Sequence, residues 1–101
     1  MKFNIYFGTI GNSNIRCKYR YTAYFNTEEA AIEKAHKEAE NLYYKLEGTH
    51  GLPSFSIINK ESKITGKSLS QLYTDHINDM MRWYAIPTNL DTISNKNIKY
   101  Q

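Results

Sequence analysis

With one cysteine, two prolines and five glycines in 101 residues, the chain is short of what builds disulfide scaffolds, extended linkers and glycine-rich phosphate cradles. Cys17 by itself forms neither an internal disulfide nor a cysteine-based metal centre. Few prolines and 41% hydrophobic residues argue against extended disorder. No apolar run approaches the roughly 18 residues that span a bilayer. The segment Met1-Lys2-Phe3-Asn4-Ile5 has neither a continuous apolar stretch nor a small-residue cleavage site. We therefore expect a soluble protein of a reducing, cytoplasmic compartment.

A strong charge of one sign is also missing. Thirteen Lys and Arg against ten Asp and Glu leave a net charge of +3, well short of a dedicated nucleic-acid binder. Where the charge sits therefore matters more than its sum. Tyrosine is abundant: nine against four phenylalanines and one tryptophan, so much of the aromatic surface carries a polar end suited to half-buried sheets and binding faces. The length predicts a single domain over 1–87 with one core. The asparagine- and lysine-rich stretch 88–101, with isolated Leu90, Ile93, Ile98 and Tyr100, reads as a C-terminal tail that orders on a partner.

Along the chain, Phe3, Ile5 and Phe7 alternate with Asn4 and Tyr6 in a first strand, and Gly11 to Asn14 supply a turn. Ile15 to Phe25 then alternate without interruption: Ile15, Cys17, Tyr19, Tyr21, Ala23 and Phe25 on one face, Arg16, Lys18, Arg20, Thr22 and Tyr24 on the other. The hairpin puts Lys2, Asn4 and Tyr6 beside the basic row. Asn26 or Thr27 caps a helix to about Glu47, with an Ala31, Ala35, Ala39, Leu42, Leu46 stripe flanked by Ile32 and Tyr43, and Gly48 ends it. Ser54 to Asn59 reads as a third strand and Lys60 to Lys67 as a polar loop. A capping box, Ser68 to Gln71, starts a second helix ending near Met81, and Trp83 to Ile86 form a last strand stopped by Pro87. The order β-β-α-β-α-β predicts an α+β fold, a two-layer, mainly antiparallel four-stranded sheet with two helices on one face and the other face open.

That open face makes Arg16, Lys18 and Arg20 the leading candidate site, because same-face side chains two apart on a strand stand about 6.5–7 Å from each other. Two readings compete. The plain one is a solvated face or an edge guarded against aggregation by cations. The functional one is anion binding, in which arginine forks meet phosphate while Tyr6 and Tyr24 stack on a base, with Lys67 as a further cation.

Other patterns carry less chemistry. Glu61 to Ser68 end Gly-Lys-Ser like a phosphate-binding loop, but Glu61 stands where that pattern requires glycine, and the chain is too short for the usual parallel nucleotide-binding sheet. Lys67 and the amide end of the following helix remain able to touch a phosphate. The three histidines do not cluster. His76 sits on its helix's apolar side, and Asp75 and Asp79 beside it lack a further ligand, so neither a metal nor a cofactor is expected. His50, in a glycine-flanked turn, is the freest for acid–base work, but no nucleophile motif accompanies it. Cys17 reads as a small core residue. Trp83 and Tyr84 are either core aromatics of the last strand or the anchor of a protein interface.

The run Leu42-Tyr43-Tyr44-Lys45-Leu46-Glu47-Gly48-Thr49-His50-Gly51-Leu52-Pro53 and the later Arg82-Trp83-Tyr84-Ala85-Ile86-Pro87 resemble small bacteriophage accessory proteins over residues 22–87. The resemblance implies a non-enzymatic, phage-encoded inhibitor of host immunity, acting in the host cell cytoplasm. Such a protein binds a host defence protein or sequesters a nucleotide signal in a homo-oligomeric sponge. Together with the basic row, this leads us to expect a binding protein for an anionic nucleotide-type small molecule. The alternatives are a protein–protein inhibitor using Trp83, Tyr84 and the tail, and weak nucleic-acid binding.

Overall fold

A computed structural model describes residues 1–10, 17–91 and the backbone of 99–100. Strand β1 (Lys2–Thr9) is central and pairs antiparallel with β2 (Tyr19–Tyr24) on one side and β3 (Met81–Pro87) on the other. The order is thus β3-β1-β2, and a two-residue β4 (Lys99–Tyr100) lies parallel along β2. The chain termini of the ladder are tied as well, since Met1 and Phe25 exchange backbone hydrogen bonds at 2.8 Å.

Helix α1 (Glu28–Leu46) forms where the alanine stripe predicts it. Of the two candidate caps it is Thr27 that acts, its hydroxyl accepting from the Ala30 amide at 3.1 Å. Ala31, Ala35 and Ala39 are fully buried, and their small side chains let the helix lie close against β1 and β3. The core is formed by Phe3, Ile5, Phe7, Leu42 and Tyr43 together with Leu52, Ile58, Leu72, Ile77 and Met81. Ile32 is the exception to the predicted stripe, standing 43% exposed.

The fold is α+β, but its third strand is not where the alternation placed it. Residues Phe55–Thr65 are a helix, α2, so the order is β-β-α-α-α-β-β with an antiparallel three-stranded sheet at its centre. The physical reason is a choice between two periods. Phe55 and Ile57 alternate with serines like a strand, but Ile58 is the residue that is buried, with Ser62 one turn further on the same side. Glu47 at the end of α1 accepts a hydrogen bond from the Phe55 amide at 3.0 Å, placing a carboxylate at the new helix's positive end. Gly66, at φ 78°, closes α2 in the left-handed conformation with its amide on the Ser62 carbonyl. After it comes α3 (Leu69–Met80), capped by the Ser68 hydroxyl on the Gln71 amide as expected. The Gln71 side-chain amide donates to Asp75 at 2.8 Å. Met81 leads straight into β3 without a loop.

Candidate functional site

Alternate residues of the three strands point away from the helices: Asn4, Tyr6 and Gly8 of β1, Arg20, Thr22 and Tyr24 of β2, and Arg82, Tyr84 and Ile86 of β3. The pairing of Tyr6 with Arg20 puts Arg20 on one face with Asn4 and Tyr6. That face is nevertheless closed at its centre. Arg20 is 2% exposed, Tyr6 0% and Asn4 5%, so Arg20 and Tyr6 are not open to an external ligand as the sequence suggested.

Among the described residues, two segments lie over it. At one end Cys17 and Lys18 cross over Gly8; a Cβ built on that glycine would stand 3.1 Å from the Lys18 amide nitrogen and 3.4 Å from Cys17 Cβ. Cys17 therefore belongs to the polar face and not to the core side that its odd number predicts, because β2 begins only at Tyr19 and strand alternation holds only within the strand. Its thiol donates to the Arg82 carbonyl at 3.6 Å. Burial pushes this thiol up to about 11, with the Arg82 charge acting in the other direction. At the other end the chain turns back after Pro87. Thr88 donates its amide to the Lys2 carbonyl at 3.0 Å and Leu90 to the Pro87 carbonyl at 2.9 Å, which returns Asp91 across the sheet.

Asp91 then organises the centre. Its Oδ2 accepts from the Tyr6 hydroxyl and from Asn4 Nδ2, both at 2.6 Å, while Asn4 Oδ1 accepts from the Thr22 hydroxyl at 2.6 Å. The Tyr6 phenol is held far above its ordinary range, first by burial and then by the Asp91 carboxylate, with the Arg20 guanidinium opposing. Tyr84 stacks on Tyr6 with ring centroids 4.7 Å apart, and burial pushes its phenol up to about 12.

The remaining predicted site residues are scattered. Lys18 and Tyr24 are exposed, Lys18 over the Tyr19 ring at 5.5 Å and Tyr24 beneath Lys2 at 5.9 Å. Arg16 lies outside the described residues. Lys67 stands in the turn between α2 and α3, 3.5 Å from Asp75. Trp83 and Tyr84 alternate onto opposite faces of β3, Trp83 against His36 of α1 at 4.7 Å and Tyr84 against Tyr6. As a pair they form no single exposed patch. His76 bridges α3 to α2 through Glu61 at 2.9 Å. Among the described residues no three His, Cys, Asp or Glu side chains converge as a metal site, and no helix is long and apolar enough to cross a membrane.

A second surface was not anticipated. The turn Gly66-Lys67-Ser68 joins α2 to α3 in three residues. On α3 the exposed Ser70, Gln71, Thr74 and Asn78 fall within roughly 100° of arc at 100° per residue, opposite the buried Leu72 side. On α2 the exposed Lys60, Lys63, Ile57 and Ile64 lie away from Ile58. The glycine stop at Gly66 and the three-residue spacing to Leu69 were the sequence signals that could have found it. Comparison with family models, curated proteins and solved structures returned no match to this chain.

Proposed function

We propose that the protein is a non-catalytic binding protein whose partner is a nucleic-acid duplex, engaged through the α2–turn–α3 unit. The supporting observation is the unit itself: two short helices joined by a three-residue turn with a left-handed glycine, the connection that helix-turn-helix proteins use to present their second helix. Ser, Gln, Thr and Asn side chains along the exposed side of α3 are donor and acceptor types able to read base edges. Lys60, Lys63 and Lys67, all exposed, are placed for phosphates.

Magnitude limits the reading to weak binding. Glu61, Asp75 and Asp79 balance the three lysines formally, and Lys67 already has Asp75 beside it. Three phosphate contacts give a logarithmic salt slope of about −3 at most. Titrating labelled duplex DNA with the protein and following anisotropy across salt concentrations tests this. We expect binding at low salt with that shallow slope, reduced by about one unit in Lys63→Ala and in Lys67→Ala. Binding that ignores both lysines, or none at low salt, rejects the assignment.

A specific observation favours one further reading, that of a protein-binding inhibitor in the counter-defence setting implied by the phage resemblance. Phe55, Ile57 and Ile64 of α2 are 51%, 57% and 84% exposed, a large apolar display for an 11-residue helix. A protein partner lost on Ile57→Lys and Ile64→Lys but kept on Lys67→Ala would favour it over the duplex. Sequestration of a nucleotide through the β2 row is less favoured, since Arg20 and Tyr6 are buried.

A further inference from the structure

A sheet with its core on one side ordinarily leaves the other side wet, and a fully buried arginine there calls for a cause. Over Tyr6 and Asn4 lies a four-residue strap, 88–91, that contributes little apolar surface of its own: Asn89 is exposed and Leu90 is 67% exposed. The Thr88 amide ties the strap to the Lys2 carbonyl at 3.0 Å, and one carboxylate fastens its far end. Asp91 Oδ2 takes both the Tyr6 hydroxyl and the Asn4 amide group at 2.6 Å, and the Arg20 guanidinium stands beside the same Tyr6 hydroxyl. Two neutral donors converging on a single oxygen, with a fixed cation alongside, is the donor set of an oxyanion site. Asn4 is itself oriented by the Thr22 hydroxyl on its Oδ1, which commits its Nδ2 to donating outward.

We propose that this polar face is a small-oxyanion site that the chain fills in cis with Asp91, and that an external carboxylate or phosphate takes the same donors when the strap leaves. Ligand and strap are then mutually exclusive, so binding frees residues 88–91 from the sheet. The site is separate from the α2–turn–α3 surface and stands or falls independently of it. Because a short tether gives Asp91 an effective concentration of millimolar order, an external anion must exceed that level to compete.

Chemical rescue tests it. Asp91→Gly removes the resident carboxylate without touching the core under α1, and thermal unfolding followed by Trp83 fluorescence reads the outcome. We expect a lowered melting temperature that formate, acetate or inorganic phosphate restores saturably, while the unaltered chain gains only the small, unsaturable increment common to such salts. Matched sodium chloride should restore nothing. Recovery by formate and acetate alone identifies a carboxylate site, and recovery by phosphate identifies a phosphate site. Adding Asn4→Ala should abolish either. If Asp91→Gly gains no more than the unaltered chain from any of these anions, the proposal is wrong. Should that variant fail to fold, the unaltered chain answers: chymotryptic cleavage at Leu90 should quicken with formate but not with chloride, and an unchanged rate overturns the proposal equally.

Discussion

On the face of the sheet under α1, Phe3, Ile5 and Phe7 meet three alanines and the rings of Tyr19, Tyr21 and Trp83. On the opposite face, residues one position along the same strands, Asn4, Tyr6 and Arg20, are equally dry. The first is held by burial that has no preferred direction, so neighbours can shift and still contribute. The second depends on each donor finding its acceptor, and a lost partner leaves a buried polar group unpaired. Similar exclusion of water thus conceals different tolerances, and the polar face is the one able to exchange its partner.

The comparison can be broken from either side. The largest effect is expected on the apolar face: Ile5→Ala should cost about 2–5 kcal/mol in urea unfolding, since Ile5 is fully buried beneath α1 and helix and sheet relax only partly around the cavity. A loss under about 1 kcal/mol would mean that face is not the principal core. On the polar face Asn4→Ala should cost about 1–3 kcal/mol, since it removes a buried donor to the Asp91 carboxylate and the acceptor of the Thr22 hydroxyl. Combined with Asp91→Ala the two losses should fall short of additive, and strict additivity would show that the hydrogen bond contributes nothing.

The smallest expected effect is a pH dependence. The Cys17 thiol is raised from 9.0 to about 11 by burial, so the unfolded chain releases that proton first. Its contribution is complete below pH 9 and is lost as the pH climbs through about 11. At pH 10 the loss should be about 1 kcal/mol. Cys17→Ala should remove that part of the alkaline decline, leaving the share of the buried tyrosines. An unchanged alkaline profile would place the thiol in water.

Much of the frame was legible in local pattern. Strict alternation through Phe3, Ile5 and Phe7, the alanine stripe of α1, and the Ser68 cap each describe a residue's nearest neighbours along the chain, and each element formed there. The segment Ser54 to Asn59 was misread because five or six residues with Phe and Ile fit both periods. The helix is chosen by where Ile58 finds cover and by Glu47 at its N-terminus. Cys17 was misplaced by extending alternation past the end of β2.

The basic strand shows the division most clearly. Sequence determined that Arg20 would share a face with Tyr6 and Asn4, because side chains alternate with a period of two and antiparallel partners stand directly opposite. Whether that face met water was beyond any local pattern. Asp91 lies 85 positions further along the chain from Tyr6 and reaches it through the pairing of β3 with β1 and the turn of the strap after Pro87. Burial of a charge is a property of what comes to lie over it, and only the tertiary structure decided that.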